Sequence, residues 1–467
     1  MISEPAKKDT TCPPTLNRQT FRTSRQMDFF SEKELVTQTG HAREEWPLVF
    51  LKETIDNALD ACDEQAIAPV LHVEVSDNRI SVTDNAGGIP ESTIEGVVDF
   101  TVRTSSREMY VAPDRGAQGN ALMTLLGMPR VIDPDDGCLK ITANGKEHRF
   151  QCTADPVTQE PVIVHDVADV PDSDGTTIAI EWAAEWPFGE HFDDSGTWCD
   201  DETQDAVIQL IKGFGLFNPH ATIMANVFAT EWTMQATDPA WKKWKPSDPT
   251  CPHWYELHHL RRLIGAYISQ ERQTGKTRTV GEFIREFKGL TGTQKAKRVL
   301  ADCDLLRTQL ADLATDDGLD DERINALLGA MKTHAKPVKP KGLGVIGEDH
   351  LRQSLESLGC IGESITYKKT IGHEADIPYV LECAFGYLGD DVRQYRQIYA
   401  GANWSAAIRQ PFRSFGSCGD GLESLLSKQY ATGQEPVVFV LHLAHPRVDY
   451  TDRGKSAIAL GSSHRSE

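Results

Sequence analysis

From Leu71 to Val82 apolar residues recur at every second position, Leu71, Val73 and Val75, then Ile80 and Val82, on either side of the turn sequence SDN. A period of two predicts a hairpin with one buried face. Just upstream the period changes. Over residues 46–64 it fits a helix, at about 100° per residue, which puts Leu51, Ile55, Ala58, Leu59 and Cys62 in one sector and Glu53, Asn57 and Asp60 in the opposite one. Further strands are expected at 138–152, 161–166 and 175–182, with a loop and helix between 100 and 128. This mixture predicts an α+β or two-layer α/β sandwich reaching to about residue 235. From about 253 to 335 the pattern turns helical, as in VGEFIREFKGL and RINALLGAMKTH, and the Pro/Lys/Gly stretch AKPVKPKGLG reads as a linker. A helix at 347–358, strands, a helix near 418–429 and the apolar run PVVFVLHLAH then predict a second α/β domain. The expected division is a mobile segment 1–27, a first domain 28–235, a helical domain 236–336 and a last domain 337–467. Within the first, MDFFSEKELVTQTG carries enough apolar residues to dock.

A chain of 467 residues, 39% hydrophobic and 25% charged with mean hydropathy −0.40, has the composition of a soluble protein. No apolar run approaches the roughly 20 residues of a membrane span, and the N-terminus lacks a signal-peptide core, so a cytoplasmic location is expected. Ten cysteines without repeating spacing fit reduced thiols. Cys251, His253, His258 and His259 lie close together in CPHWYELHH, where zinc competes with plain packing of a Trp/His-rich connector. A net charge of −21 excludes a general nucleic-acid coat. Locally, residues 271–298 hold eight Lys/Arg against three acids, which fits either a DNA-facing patch or a solvated basic face.

Four stretches carry candidate chemistry. Glu53 and Asn57 stand one turn apart, as a carboxylate that orients water and an amide oxygen that ligates magnesium would; an exposed acidic helix face is the plain alternative. Asp84 shares the parity of Ile80 and Val82, so it faces the buried side, where an unpaired carboxylate costs several kcal/mol. An adenine amino group would satisfy it, with the glycines of DNAGGIP letting the base approach; capping of the following turn would also do so. Gly116 and Gly119 in DRGAQGNALMTLLGMP precede an apolar helix whose free N–H groups suit phosphates. Thr176, in DSDGTTIAIEW, is in phase with Ile178 and Ile180, so its hydroxyl is expected to be buried beside Asp84. The GKT at 275–277 lacks the rest of a phosphate loop and is set aside.

In this order the four stretches resemble the GHKL ATPases, and over roughly residues 28–460 the B subunits of the type IIB topoisomerases, the topoisomerase VI family. FFSEKELVTQTG is similar to their N-terminal strap, TSSREMYVAPDRGAQGNALMTLL to their lid, PKGLGVIGEDHL to the exit from their helix-two-turn-helix insert, and VFVLHLAHPRVDYTDRGKSAI to the end of their transducer domain. The resemblance implies an N-terminal GHKL (Bergerat) α/β sandwich, a helical insert and a C-terminal transducer. It implies Glu53 as general base, Asn57 as magnesium ligand, and Asp84 as adenine reader beside Gly88 and Thr176. Ser106, Arg107 and the run Gly116, Ala117, Gln118, Gly119, Asn120, Ala121, Leu122 and Met123 would surround the phosphates, and Lys455 would reach the γ-phosphate. Ala86 and Ala121 stand where the family has glycine.

The resemblance further implies ATP and Mg2+ as cofactors, an ATP-dependent homodimer, and DNA and a DNA-cleaving A-type subunit as partners, with no DNA cleavage by this chain. The sequence stops twelve residues after Lys455, where the family continues into a long helix toward the A-type subunit. That departure leaves a second expectation: a nucleotide-gated DNA-binding or interaction module of a mobile-element or antiphage system. A chaperone of the heat-shock branch is a third, against which the helical insert speaks.

Overall fold

The computed structural model describes residues 30–96, 109–115, 121–155, 160–171, 174–183, 201–316, 318–390, 395–413, 420–451 and 457–458. The first helix, α1 (Glu32–Thr39), is capped by Ser31, whose side chain accepts from the Glu34 N–H, and ends on left-handed Gly40. Phe30 and Leu35 are buried, so this segment docks as its apolar content predicts. α2 (Trp46–Gln65) opens with Pro47 in its first turn, where a missing N–H costs nothing.

β1 (Val70–Ser76) and β2 (Arg79–Thr83) form the predicted hairpin, with Leu71, Val73, Val75, Ile80 and Val82 all buried. α3 (Glu91–Gly96) and α4 (Ala121–Ile132) follow. The strand region expected at 138–152 is a hairpin, β3 (Cys138–Ala143) and β4 (Lys146–Ala154), in which Asn144-Gly145 takes the left-handed backbone of a two-residue turn. β5 (Pro161–Asp169), β6 (Thr176–Glu181), α5 (Asp201–Phe217), β7 (Thr222–Val227) and β8 (Thr230–Met234) complete the first unit. Its eight strands run β5-β4-β3-β6-β2-β1-β7-β8. All pair antiparallel except β1 and β7, which run parallel with Val70 opposite Thr222. α2 packs on β2, and α4 lies on β3 and β4.

The middle of the chain is helical as expected: α6 (Leu257–Thr274), α7 (Val280–Ile284), α8 (Thr293–Asp302) and α9 (Asp321–His334), with one tiny hairpin of β9 (Ala314–Thr315) and β10 (Gly318–Leu319). The stretch read as a linker is instead packed. Val338, Leu343 and Ile346 are buried, and the Trp244 N–H and Trp241 Nε1–H donate to the carbonyls of Leu343 and Val345 at 2.6 Å each. Its prolines and lysines read as solvated spacer, but the apolar residues between them find two tryptophans.

The last unit holds α10 (Glu348–Ser357), β11 (Thr366–Glu374), β12 (Ile377–Tyr387), β13 (Gln397–Ala402), β14 (Ser405–Ala406), α11 (Leu422–Lys428) and β15 (Val437–Ala444). Its sheet runs β11-β12-β15-β13-β14, with β13 parallel to β15. α5 of the first unit packs on β13 and β14. The approach is close: a Cβ on Gly401 would lie 2.6 Å from the Phe217 ring, and one on Gly213 would lie 3.0 Å from the Ala406 methyl. The fold is thus α+β throughout. Among the described residues no helix is long and apolar enough to cross a membrane, and the seven cysteines described are all free.

Candidate functional site

Two faces of α2 decide the site. Glu53 is half-buried and Asn57 exposed, one turn apart on the same side. Asp60, expected beside them, is not there: it is buried, as are Lys52, Asp56 and Asp63. The helix has a third, charged and covered face, and a two-sector wheel could not separate it from the solvent face. The sequence offered no nearby lysine for Asp60; its partners come from far along the chain. Arg115 reaches Asp60 at 2.5 Å and Asp63 at 2.6 Å, and Lys243 reaches Asp63 at 3.1 Å. His220 Nε2 lies 2.7 Å from Asp63, and Asn218 accepts from Arg115. Burial opposes ionisation of Asp63, but Arg115, Lys243 and His220 outweigh it and hold the carboxyl far below the usual range. Burial likewise lowers the His220 pKa against the pull of Asp63, so a neutral ring donates to that carboxylate.

Beyond the C-terminal end of α2 lies the loop after β2. The Asn85 side chain accepts from the Val70 N–H (2.8 Å) and the Cys62 thiol (3.4 Å), and the Gly87 N–H donates to Gln65 at 2.8 Å. Asp84 faces inward as its parity predicts, 8% exposed. Burial raises its pKa, offset in part by N–H groups of Ala86 (2.8 Å) and Thr176 (3.2 Å), both donating to Oδ1. The turn-capping reading is therefore correct for Oδ1. Thr176 is buried against Asp84 as expected, yet the bond runs from its backbone N–H and not from its hydroxyl. Ala86 needs no left-handed backbone, so the missing glycine is tolerated there; Gly88, at φ +79°, does need one.

Sequence reasoning missed Gly175, although DGTT displays it. At φ +93°, with a hypothetical Cβ only 1.8 Å from the Asp84 carbonyl oxygen, it admits no side chain. Gly175→Ala is expected to cost at least about 1–3 kcal/mol through strain alone, lowering the melting temperature. It should also raise KM for any nucleotide held at Asp84; a variant as stable as wild type would show that β6 can withdraw.

The phosphate side is less fully in view. Ser106, Arg107, Gly116, Ala117, Gln118, Gly119, Asn120 and Lys455 lie outside the described residues, as do the side chains of Ala121, Leu122 and Met123 at the start of α4. The segment between them, residues 109–115, is firmly held. The Val111 N–H donates to the Tyr255 hydroxyl at 3.0 Å and its carbonyl accepts from Thr250 at 2.6 Å. Tyr110 meets Tyr267 of α6 and Glu286. A cavity of about 290 Å3 lies beside this segment, between Arg262, Asn403 and Arg447.

The cluster weighed for zinc does not assemble. Cys251 is buried and His253 bonds the Ala335 carbonyl, away from His258 and His259. These two gather instead with Glu256 at the exposed start of α6, where Glu256 is taken by Arg447 at 2.7 Å and His259 Nδ1 accepts the Glu256 N–H. Packing accounts for Cys251 and His253 and helix capping for His259, while exposed His258 packs on His259 and lies 3.5 Å from Glu256.

No family model matches the chain. It is 24% identical over 429 residues to the B subunit of type 2 DNA topoisomerase 6 from Methanococcoides burtonii, covering 88% of this chain and 64% of that protein. With the corresponding protein of Archaeoglobus fulgidus it shares 24% identity over 435 residues, covering 88% and 66%. The chain thus spans about 64% of the length of the first of these relatives. Among solved structures, the ATPase region of Saccharomyces cerevisiae topoisomerase II aligns with 88% of the chain at 8% identity and a TM-score of 0.39, too low to add to the sequence similarity. Along 88% of its length the chain is thus similar to the B subunits of type 2 DNA topoisomerase 6.

Proposed function

We propose that the chain binds and hydrolyses ATP beside α2, and that ATP draws two copies together as a clamp. The clamp controls passage of DNA through a break made by a separate A-type subunit. The observation that carries this reading is the convergence of Asp84, Gly175 and Thr176 just past one end of α2, with Glu53 and Asn57 farther up the same helix, in a chain similar to the topoisomerase VI B subunits. From Cys62, which touches the adenine-side loop, back to Glu53 is nine residues, or about 14 Å of helix rise, a length that suits an extended nucleotide.

Oδ1 of Asp84 is fixed by two N–H groups, so Oδ2 takes the exocyclic amino group of adenine, and Gly88 keeps the backbone clear of the base. Glu53, half-buried and one turn from Asn57, accepts a proton from the attacking water. Asn57, a neutral oxygen donor, would hold Mg2+, which would supply charge neutralisation at the phosphates. By the resemblance, Ser106, Arg107, residues 116–123 and Lys455 would supply the remaining phosphate contacts. Basic residues exposed on the helical region, among them Lys276, Arg285, Lys288, Lys295, Lys297 and Arg298, support DNA contact there in an otherwise acidic protein.

The test has two arms. Sedimentation of the full chain with Mg2+ and adenylyl imidodiphosphate should convert monomer to dimer, and supercoiled DNA should relax once ATP and a cognate cutting subunit are added. Failure to bind the analogue would overturn the whole reading. Dimerisation and DNA trapping without relaxation would keep the ATP clamp and replace strand passage with a nucleotide-gated binding module.

A further inference from the structure

The two-residue turn joining β13 to β14 has the left-handed backbone at both positions that a hairpin loop of this length requires, and it seats a bulky residue there. Asn403 (φ 50°) and Trp404 (φ 63°) are both left-handed, and for a bulky residue such as Trp404 that backbone is a genuine outlier. Strain of this kind persists only where the surroundings over-determine it. Here they do, and most of them belong to the first unit or the segments leading out of it. The Trp404 carbonyl accepts from Asn218 Nδ2 at 2.9 Å, and its buried ring lies 4.9 Å from Lys243 Nζ. From its own sheet, His442 Nε2 accepts the Trp404 N–H at 2.9 Å. The next residue, Ser405, donates to Asp56 Oδ2 at 2.7 Å and also meets Lys52, which pairs with the same carboxylate at 3.0 Å.

We infer that this turn is the element through which the C-terminal sheet positions α2, and that Ser405 is a positioning residue for hydrolysis. Lys52 and Asp56 are the immediate neighbours of Glu53 and Asn57 on a continuous helix. Within a hydrogen-bonded helix the Cα–Cβ directions of successive residues are fixed relative to one another, so the contact that holds Asp56 also sets where the Asn57 and Glu53 side chains leave the helix. The three cations Lys52, Arg115 and Lys243 balance the three aspartates of α2. These pairs join the turn and α2 in one polar network, beside a cavity of about 20 Å3 that Lys52, Arg115 and Ser405 help to line. Any rotation of the C-terminal sheet must either carry α2 along or break the Ser405–Asp56 bond.

The inference rests on the proposed ATPase, so its test reads both rate and structure in the full chain. Ser405→Ala removes a neutral hydroxyl and leaves Lys52 on Asp56, so folding should survive. The expected result is a fall in kcat of about tenfold, the scale of one lost hydrogen bond to a charged group, with KM for ATP unchanged. Amide exchange should rise within residues 46–65, and Ser405→Thr, which restores the hydroxyl, should recover the rate. A purely structural role would lower the melting temperature and leave kcat alone, and that outcome overturns the inference. Exchange in α2 identical to wild type overturns it too, whatever the ATPase does. A wild-type chain that hydrolyses no ATP, while α2 still loosens in the variant, would instead sink the proposed function and with it the link to hydrolysis.

Discussion

Replacing Glu53 with alanine is expected to lower kcat for ATP hydrolysis by about 10²–10⁴-fold, the usual contribution of a positioned general base. ATP affinity should change little, because the proposed adenine contact, Asp84, lies beyond the far end of α2. Glu53 is half-buried and takes no part in the ion pairs of the charged junction, so the variant should unfold at the same urea concentration as wild type. Glu53→Gln, which keeps the shape and loses the basicity, should be equally slow. Normal hydrolysis by either protein would show that another group accepts the proton. The dimer formed with the non-hydrolysable analogue should be unaffected, which separates clamp closure from turnover.

The second large effect is on stability. Arg115 is buried and bridges Asp60 and Asp63, so Arg115→Met leaves two carboxylates under-compensated in a covered site. Breaking a buried ion pair from one side costs about 3–5 kcal/mol, against a total of about 5–15 kcal/mol for a typical protein. Urea unfolding should shift accordingly, and an unshifted midpoint would mean that water already enters the junction. The same geometry sets a pH dependence. His220 has a folded pKa below its ordinary value of about 6.5, so the unfolded chain binds more protons below that pH and stability declines there. Asp63, also depressed, adds a further loss below about pH 4, as its carboxylate is protonated in the unfolded state first. Both contributions are fully present at neutral pH.

The period-two stretch at 71–82 and the parity of Asp84 were legible because a sheet fixes side-chain direction from local sequence alone. The docking of Phe30 and Leu35 was legible for the same kind of reason: their apolarity needed no named partner. Asp60 was misplaced because its burial depends on Arg115 and Lys243, 55 and 183 residues away, and no window of helix length contains them. The stretch 335–344 misled through composition, since Leu343 could be judged core only with Trp244 beside it. Gly175 was visible but mute. Its necessity comes from the Asp84 carbonyl in the loop after β2, which local turn chemistry does not reveal.

The parallel pairing of β1 with β7 sets an order on synthesis. Val70 waits for Thr222, so while the ribosome adds the intervening 151 residues, one side of β1 offers unpaired N–H and C=O groups to any passing strand. Contacts so distant along the chain also slow folding once the chain is free. Fragments ending before residue 222 would keep that edge permanently, and overexpressing them invites inclusion bodies where the longer polypeptide folds.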